Sequence, residues 1–183
     1  MATVIVLNGT SSSGKTTLAR AFQEIAPRLF LNFSIDSILA ALPRSALDGI
    51  EKGADISDLR LPELVRAFYA CVGQLLALGH DLVIDHALTA RYHVEALLEA
   101  TEGHEVILVG LDCARDVLRE RETRRGDRKN GLADQQIESI HRWLEYDLMV
   151  DTAAVSPAKA ASEVMSVLER GSTGALERTR LRL

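Results

Sequence analysis

The run Thr3-Val4-Ile5-Val6-Leu7-Asn8 leads directly into Gly9-Thr10-Ser11-Ser12-Ser13-Gly14-Lys15-Thr16, and this block constrains the fold more than any other stretch. The first part is almost unbroken in apolar and β-branched residues, the pattern of a strand buried on both faces. The second part satisfies G-x-x-x-x-G-K-[ST], whose glycines let the backbone curl around an anion with its N–H groups turned inward. Leu18, Phe22 and Ile25 then recur at helical spacing, and Pro27 closes the run. Strand, anion-binding turn and helix in this order predict a phosphate loop at the carboxyl edge of a parallel sheet.

Strand-like and helix-like patterns alternate through the rest of the chain. Residues 30–35 read as a second strand ending at Asp36, with a short helix from about Ser37 to Pro43. Residues 44–60 mix Gly, Asp, Lys and Ser without clear periodicity and are expected to form a surface loop or mobile cap. Pro62 opens a long helix with the stripe Leu64, Val65, Phe68, Val72, Leu75 and Leu76, and Gly79 is placed at its C-terminal cap. Leu82-Val83-Ile84 forms a third strand that delivers Asp85, and Thr89 reads as the cap of a helix carrying Val94, Leu97 and Leu98.

A fourth strand covers residues 105–111, followed by an arginine-rich helix from about Ala114 to Arg125 that Gly126-Asp127-Arg128 breaks. A helix over 133–146, a short strand over 148–152 and a helix capped by Ser156-Pro157 and ending at Gly171 complete the pattern. The tail over 172–183 shows no apolar face and is expected to be disordered. The expected fold class is α/β: a five-stranded, mainly parallel sheet with helices on both faces. It is a three-layer, nucleoside-monophosphate-kinase-like P-loop arrangement in one domain over residues 1–171, with 121–133 as a lid.

A net charge of −5 over 183 residues offers no basic face for nucleic acid or an anionic membrane. No apolar run approaches the roughly 20 residues of a membrane span, and the immediate entry into a core strand leaves no room for a signal peptide. A cytoplasmic protein is expected. Cys71 and Cys113 fall in apolar stretches and read as buried small hydrophobes, with no CxxC or metal cluster. The composition says nothing about oligomeric state.

The candidate chemistry follows from these placements. Gly9, Thr10, Ser11, Ser12, Ser13, Gly14, Lys15, Thr16 and Thr17 form the expected binding segment for a nucleoside triphosphate. Lys15 can reach the β- and γ-phosphates, and the Thr16 hydroxyl can ligate Mg²⁺. Asp85, an acid after an apolar strand, reads as a second Mg²⁺ partner or as a loop cap. Asp36 faces the cleft as a candidate general base for an acceptor hydroxyl, or caps the helix behind it; the two roles are compatible. Arg121, Arg124, Arg125 and Arg128 form a lid cluster, with Arg124 and Arg128 ranked first for neutralising charge on the transferred group. Nearby Glu120, Glu122 and Asp127 offer the alternative of surface ion pairs.

These blocks together resemble the chloramphenicol phosphotransferase family. The opening Ile5 to Lys15, the Phe33-Ser34-Ile35-Asp36-Ser37-Ile38 segment followed by Pro43, and Arg121 to Arg128 with Gly131 and Ala133 are similar to that family's motifs. So is Glu145-Tyr146-Asp147-Leu148-Met149-Val150-Asp151-Thr152. The resemblance implies an ATP- and Mg²⁺-dependent transfer to a small-molecule hydroxyl, with the general base at Asp36 and chloramphenicol as the leading acceptor. Residues 44–60 do not match, and His86, read as an ordinary loop histidine, stands where a second acid is expected. A small-metabolite or sugar-nucleotide kinase, including toxin-like kinases, is the alternative within enzymes. A nucleotide-dependent switch is the alternative outside them, although no N-K-x-D guanine-reading sequence is present.

Overall fold

The computed structural model describes residues 1–52, 59–125 and 131–183. Strand β1 (Thr3–Asn8) occupies the centre of the sheet, between β3 (Asp81–Asp85) and β4 (Glu105–Asp112). β2 (Phe30–Ser34) lies outside β3, and β5 (Leu148–Asp151) lies outside β4. All of these pairings are parallel. The helices are α1 (Lys15–Ile25), α2 (Ile35–Leu39), α3 (Arg44–Lys52), α4 (Leu61–Ala77), α5 (Arg91–Ala100), α6 (Arg115–Arg125), α7 (Leu132–Gln136), α8 (Pro157–Arg170) and α9 (Ala175–Arg182).

The period of two along each strand divides the core into two layers. Ile5, Leu7, Val83, Ile107 and Val109 meet Leu18, Ala19 and Phe22 of α1 and Ala160, Ala161, Val164 and Val167 of α8. Val4, Val6, Leu82, Ile84, Val106 and Leu108 face the other way, onto Val65, Phe68, Val72 and Leu76 of α4 and Val94 and Leu97 of α5. Fully burying a side chain such as Phe22 or Phe68 stabilises by about 1.5–3 kcal/mol. Because every strand runs the same way, the ends of β1, β2 and β3 open onto one edge, and all the chemistry collects there.

Several elements depart from the sequence expectation. Arg44–Lys52 is a helix rather than a loop. Ala46, Leu47 and Ile50 supply a short helical stripe, and Arg44 pairs with Asp48 one turn on at 2.8 Å; residues 53–58 lie outside the described residues. The tail is not disordered: α9 buries Ala175, Leu176 and Thr179. Its stripe, completed by Leu183 at the core edge, is too narrow to stand out among the arginines.

Asp147 fixes the start of this tail by accepting from the Thr173 N–H at 2.6 Å and the Ser172 hydroxyl at 3.0 Å. The expected helix over 133–146 is only Leu132–Gln136 followed by tighter turns, where the Ser139 and Arg142 N–H groups bond three residues back. Ala90, not Thr89, precedes α5. Cys113 is buried as expected, but Cys71 is exposed on the outer face of α4. Among the described residues no helix is long and apolar enough to cross a membrane.

Candidate active site

The turn between β1 and α1 is shaped by both of its motif glycines. A Cβ on Gly9 would stand 2.5 Å from Ser13 Oγ and 3.0 Å from the Leu111 carbonyl oxygen, so no side chain fits. Gly14 precedes α1 with φ 94°, in the left-handed region that glycine enters without cost. The loop therefore closes on itself, with the Ser13 N–H bonded to the Thr10 carbonyl at 3.2 Å. The first amides of α1 have no partner within their own helix and face the cavity with its positive dipole end.

Lys15 folds over this loop, donating to the carbonyls of Gly9 at 2.9 Å and Thr10 at 2.8 Å. The Thr16 hydroxyl donates to Asp85 Oδ2 at 2.6 Å, and Asp85 Oδ1 stands 4.0 Å from Lys15 Nζ. Asp85 is 5% exposed at the end of β3. Among the described residues the buried Ser11, Ser12 and Ser13 hydroxyls have no hydrogen-bond partner, an arrangement that suits a ligand brought into the loop.

Asp36 reaches the same cavity from the neighbouring strand end, though not quite as the sequence suggests. Ser34 is the residue that caps α2, its hydroxyl accepting from the Asp36 N–H at 3.2 Å. Asp36 is thus in the first turn of α2, exposed and lining the cavity. The capping role belongs to Ser34 rather than to Asp36.

That cavity, about 940 Å³, is continuous from Ser11, Gly14, Lys15, Thr16 and Thr17 to Asp36 and Asp85. Its phosphate side is bordered by Arg121 and Arg124. Its far side is apolar, formed by Leu39, Ile50, Leu61, Leu64 and Val65 with Tyr92 and the two histidines His86 and His93.

Two residues that the sequence reading undervalued hold this site together. Arg121 donates to the Thr152 carbonyl at 2.8 Å and to the Thr152 hydroxyl at 3.2 Å, with a longer contact to the Ser12 carbonyl at 3.5 Å. It braces the loop, while Arg124 lies exposed at the rim. Arg128 lies outside the described residues. His86 is not an ordinary loop histidine: it is 4% exposed and hydrogen-bonded through Nδ1 to the Tyr69 hydroxyl at 3.0 Å. Burial, with His93 and Lys15 nearby, pushes its pKa well below the usual histidine range, and burial raises that of Tyr69. His93 packs on His86 at 4.8 Å between ring centroids, and burial lowers its pKa as well, against the Ala87 carbonyl. Their only sequence signal was a histidine directly after Asp85.

A phosphate loop, a strand-end acid beside its Lys and Thr, and a facing carboxylate on a parallel α/β sheet define a P-loop phosphotransferase of the small-molecule kinase kind, with a nucleotide site. Comparison with known proteins makes this specific. Residues 2–169 match the family described as chloramphenicol phosphotransferase-like protein, and the chain belongs to that family. It is 30% identical to a Mycobacterium tuberculosis protein described as "Putative O-phosphotransferase", across 88% of this chain and 80% of that one.

Among solved structures, a sugar kinase from Janibacter sp. HTCC2649 superposes with a TM-score of 0.71 at 20% identity, covering 96% of this chain and 98% of that one. The Mycobacterium tuberculosis APS kinase in complex with AMPPNP and APS gives 0.68 at 17% identity, covering 92% and 98%. A gluconokinase from Sinorhizobium meliloti 1021 gives 0.67 at 23% identity, covering 91% of each. At these identities the likeness is one of fold.

Proposed function

We propose that this protein transfers the γ-phosphoryl group of ATP to a hydroxyl of a small neutral molecule, with chloramphenicol or a related antibiotic as the leading acceptor. The observation that carries the reading is a single cavity that joins the Lys15–Thr16–Asp85 cluster to Asp36 and then to an apolar wall. The loop amides and the α1 dipole bind the polyphosphate, and Lys15 neutralises charge near its end. Thr16 and Asp85 are hard oxygen donors in contact, which fits Mg²⁺; when bound, that ion would neutralise phosphate oxygens. Among the described residues no cluster of three or more acidic, His or Cys side chains could hold a metal, in keeping with an ion that takes its remaining ligands from phosphate and water.

Asp36 accepts the proton of the acceptor hydroxyl as its oxygen forms the new P–O bond and the bond to the departing ADP oxygen breaks. Arg121 and Arg124 steady the loop and rim on the phosphate side. The acceptor wall favours an uncharged alcohol with an apolar body. Its described residues include no Lys or Arg that would partner a carboxylate. This distinguishes the reading from kinases of acidic sugars.

The test follows γ-labelled ATP through reaction with a panel containing chloramphenicol, neutral sugars, acidic sugars and nucleosides. The expected product is a labelled phosphate ester of a neutral alcohol. Label recovered only as free phosphate across the panel would sink the reading and favour a nucleotide switch.

A further inference from the structure

One contact at the phosphate loop has no place in that account. The Ser11 N–H donates to the side-chain oxygen of Gln136 at 2.6 Å, bridging 125 residues of sequence. Since an N–H only donates, the atom it meets must be Oε1, which fixes the orientation of the amide. Its NH₂ group meets no acceptor among the described residues, and Gln136 lines the cavity shared by Lys15, Arg121 and Asp36.

The placement of Gln136 is set by its surroundings rather than by this contact. Glu122, 5% exposed, accepts from the N–H groups of Gly131 at 3.0 Å and Ala133 at 2.8 Å, tying the start of α7 to α6. Arg119 holds Asp134 at 2.9 Å, and Ala133 packs against Leu118 and Cys113. The neighbouring Arg121 grips Thr152 and Ser12. One turn of α6 thereby fixes both the loop and the helix that carries Gln136.

The loop amides divide into two sets. Ser13 bonds to Thr10 and Ser11 bonds to Gln136, so both are withdrawn from anion binding. Ser12, Gly14 and Thr16 amides have no acceptor among the described residues and form the cradle. In place of the Ser11 N–H, Gln136 brings its own NH₂ group to the wall of that cavity. A donor carried by another element, outside the loop's own amides, suits the outermost phosphoryl group rather than the inner ones.

We infer that Gln136 is a phosphate-binding residue whose amide NH₂ donates to the terminal phosphoryl group of the bound triphosphate, with Ser11 holding the amide in position. This rests on the phosphotransferase reading above and adds a residue to its phosphate side. Hydrogen bonds to a charged oxygen are the strong ones, so their loss is measurable in binding alone.

The experiment titrates ADP and a non-hydrolysable ATP analogue, each with Mg²⁺, into the full-length wild type, Gln136→Ala and Gln136→Glu. Gln136→Glu keeps an acceptor for Ser11 but removes the donor. Both variants should bind ADP like wild type while losing about tenfold or more in affinity for the ATP analogue. Thermal melting is expected to match wild type, because α7 is anchored by Glu122. An unchanged ratio of the two affinities would overturn the inference, whether both fall together or neither falls. Rescue of the ratio in Gln136→Glu relative to Gln136→Ala would also overturn it, by making acceptance from Ser11 the whole role. A wild type that binds neither nucleotide would instead overturn the phosphotransferase reading along with this one.

Discussion

The phosphate side of the cavity is made of main chain and short polar groups, whereas the acceptor side is made of side chains projecting from helices. On the first, Gly9 and Gly14 set the backbone, and Lys15 and Thr16 at the start of α1 converge on Asp85 at the end of β3, Thr16 by a hydrogen bond and Lys15 at 4.0 Å. On the second, Leu39, Ile50, Leu64, Val65 and Tyr92 come from α2, α3, α4 and α5. Main-chain sites of the first kind recognise any polyphosphate and tolerate little change. Side-chain walls of the second kind can be exchanged residue by residue without disturbing the sheet. On the proposed function, donor recognition and acceptor choice are therefore separable in this molecule.

That separation can be broken experimentally. Lys15→Ala removes a preorganised cation from the phosphate side, and turnover should fall by about a hundredfold to a thousandfold with every acceptor alike. Steady-state kinetics with two different alcohols check this, and unequal losses would mean that the two sides are coupled. Tyr92→Ala opens the acceptor wall. It should raise the acceptor KM by about tenfold while nucleotide affinity stays unchanged, which calorimetric titration reads directly.

A smaller effect concerns stability. The buried imidazoles of His86 and His93 are held neutral in the fold, with pKa values below the unfolded 6.5. As pH falls through that value the unfolded chain takes up protons that the folded chain refuses, so stability drops on the acid side and is full above it. Both histidines act in the same direction, His86 the more strongly because its pKa is lowered further. Melting temperatures at pH 7.5 and 5.5 give the slope, and His86→Leu should flatten it. A slope of the opposite sign would place a charged imidazole in the fold.

How much of this was legible in the sequence follows the same division. The donor half was readable because a phosphate loop demands fixed residue types at fixed spacing, and the apolar runs of β1, β3 and β4 state their burial directly. Asp85 stands out in the sequence because it ends the run of β3, and Asp36 because it follows the apolar run of β2. Arg121 was ranked below Arg124 because spacing along α6 does not reveal that Thr152, far along the chain, meets it there. Gln136 and the Tyr69–His86 pair gave no local pattern, since each is defined by a partner on another element. Both α3 and α9 were missed for a different reason: their apolar stripes, Ala46, Leu47 and Ile50 in one and Ala175 and Leu176 in the other, are short and surrounded by charge. Tertiary contact, such as Asp147 on Thr173, settles helices of that length.

The measurement closest to the heart of the account compares wild type with Asp36→Asn in two assays, ATP binding and phosphate transfer to the alcohol that the panel identifies. The substitution keeps size and one acceptor oxygen but replaces the carboxylate that takes the proton with an amide. ATP affinity should stay within a small factor of wild type while transfer falls by about 10²–10⁴-fold. Transfer at near wild-type rate in Asp36→Asn would contradict the account, because the oxygen that attacks phosphorus would then be losing its proton to some other group.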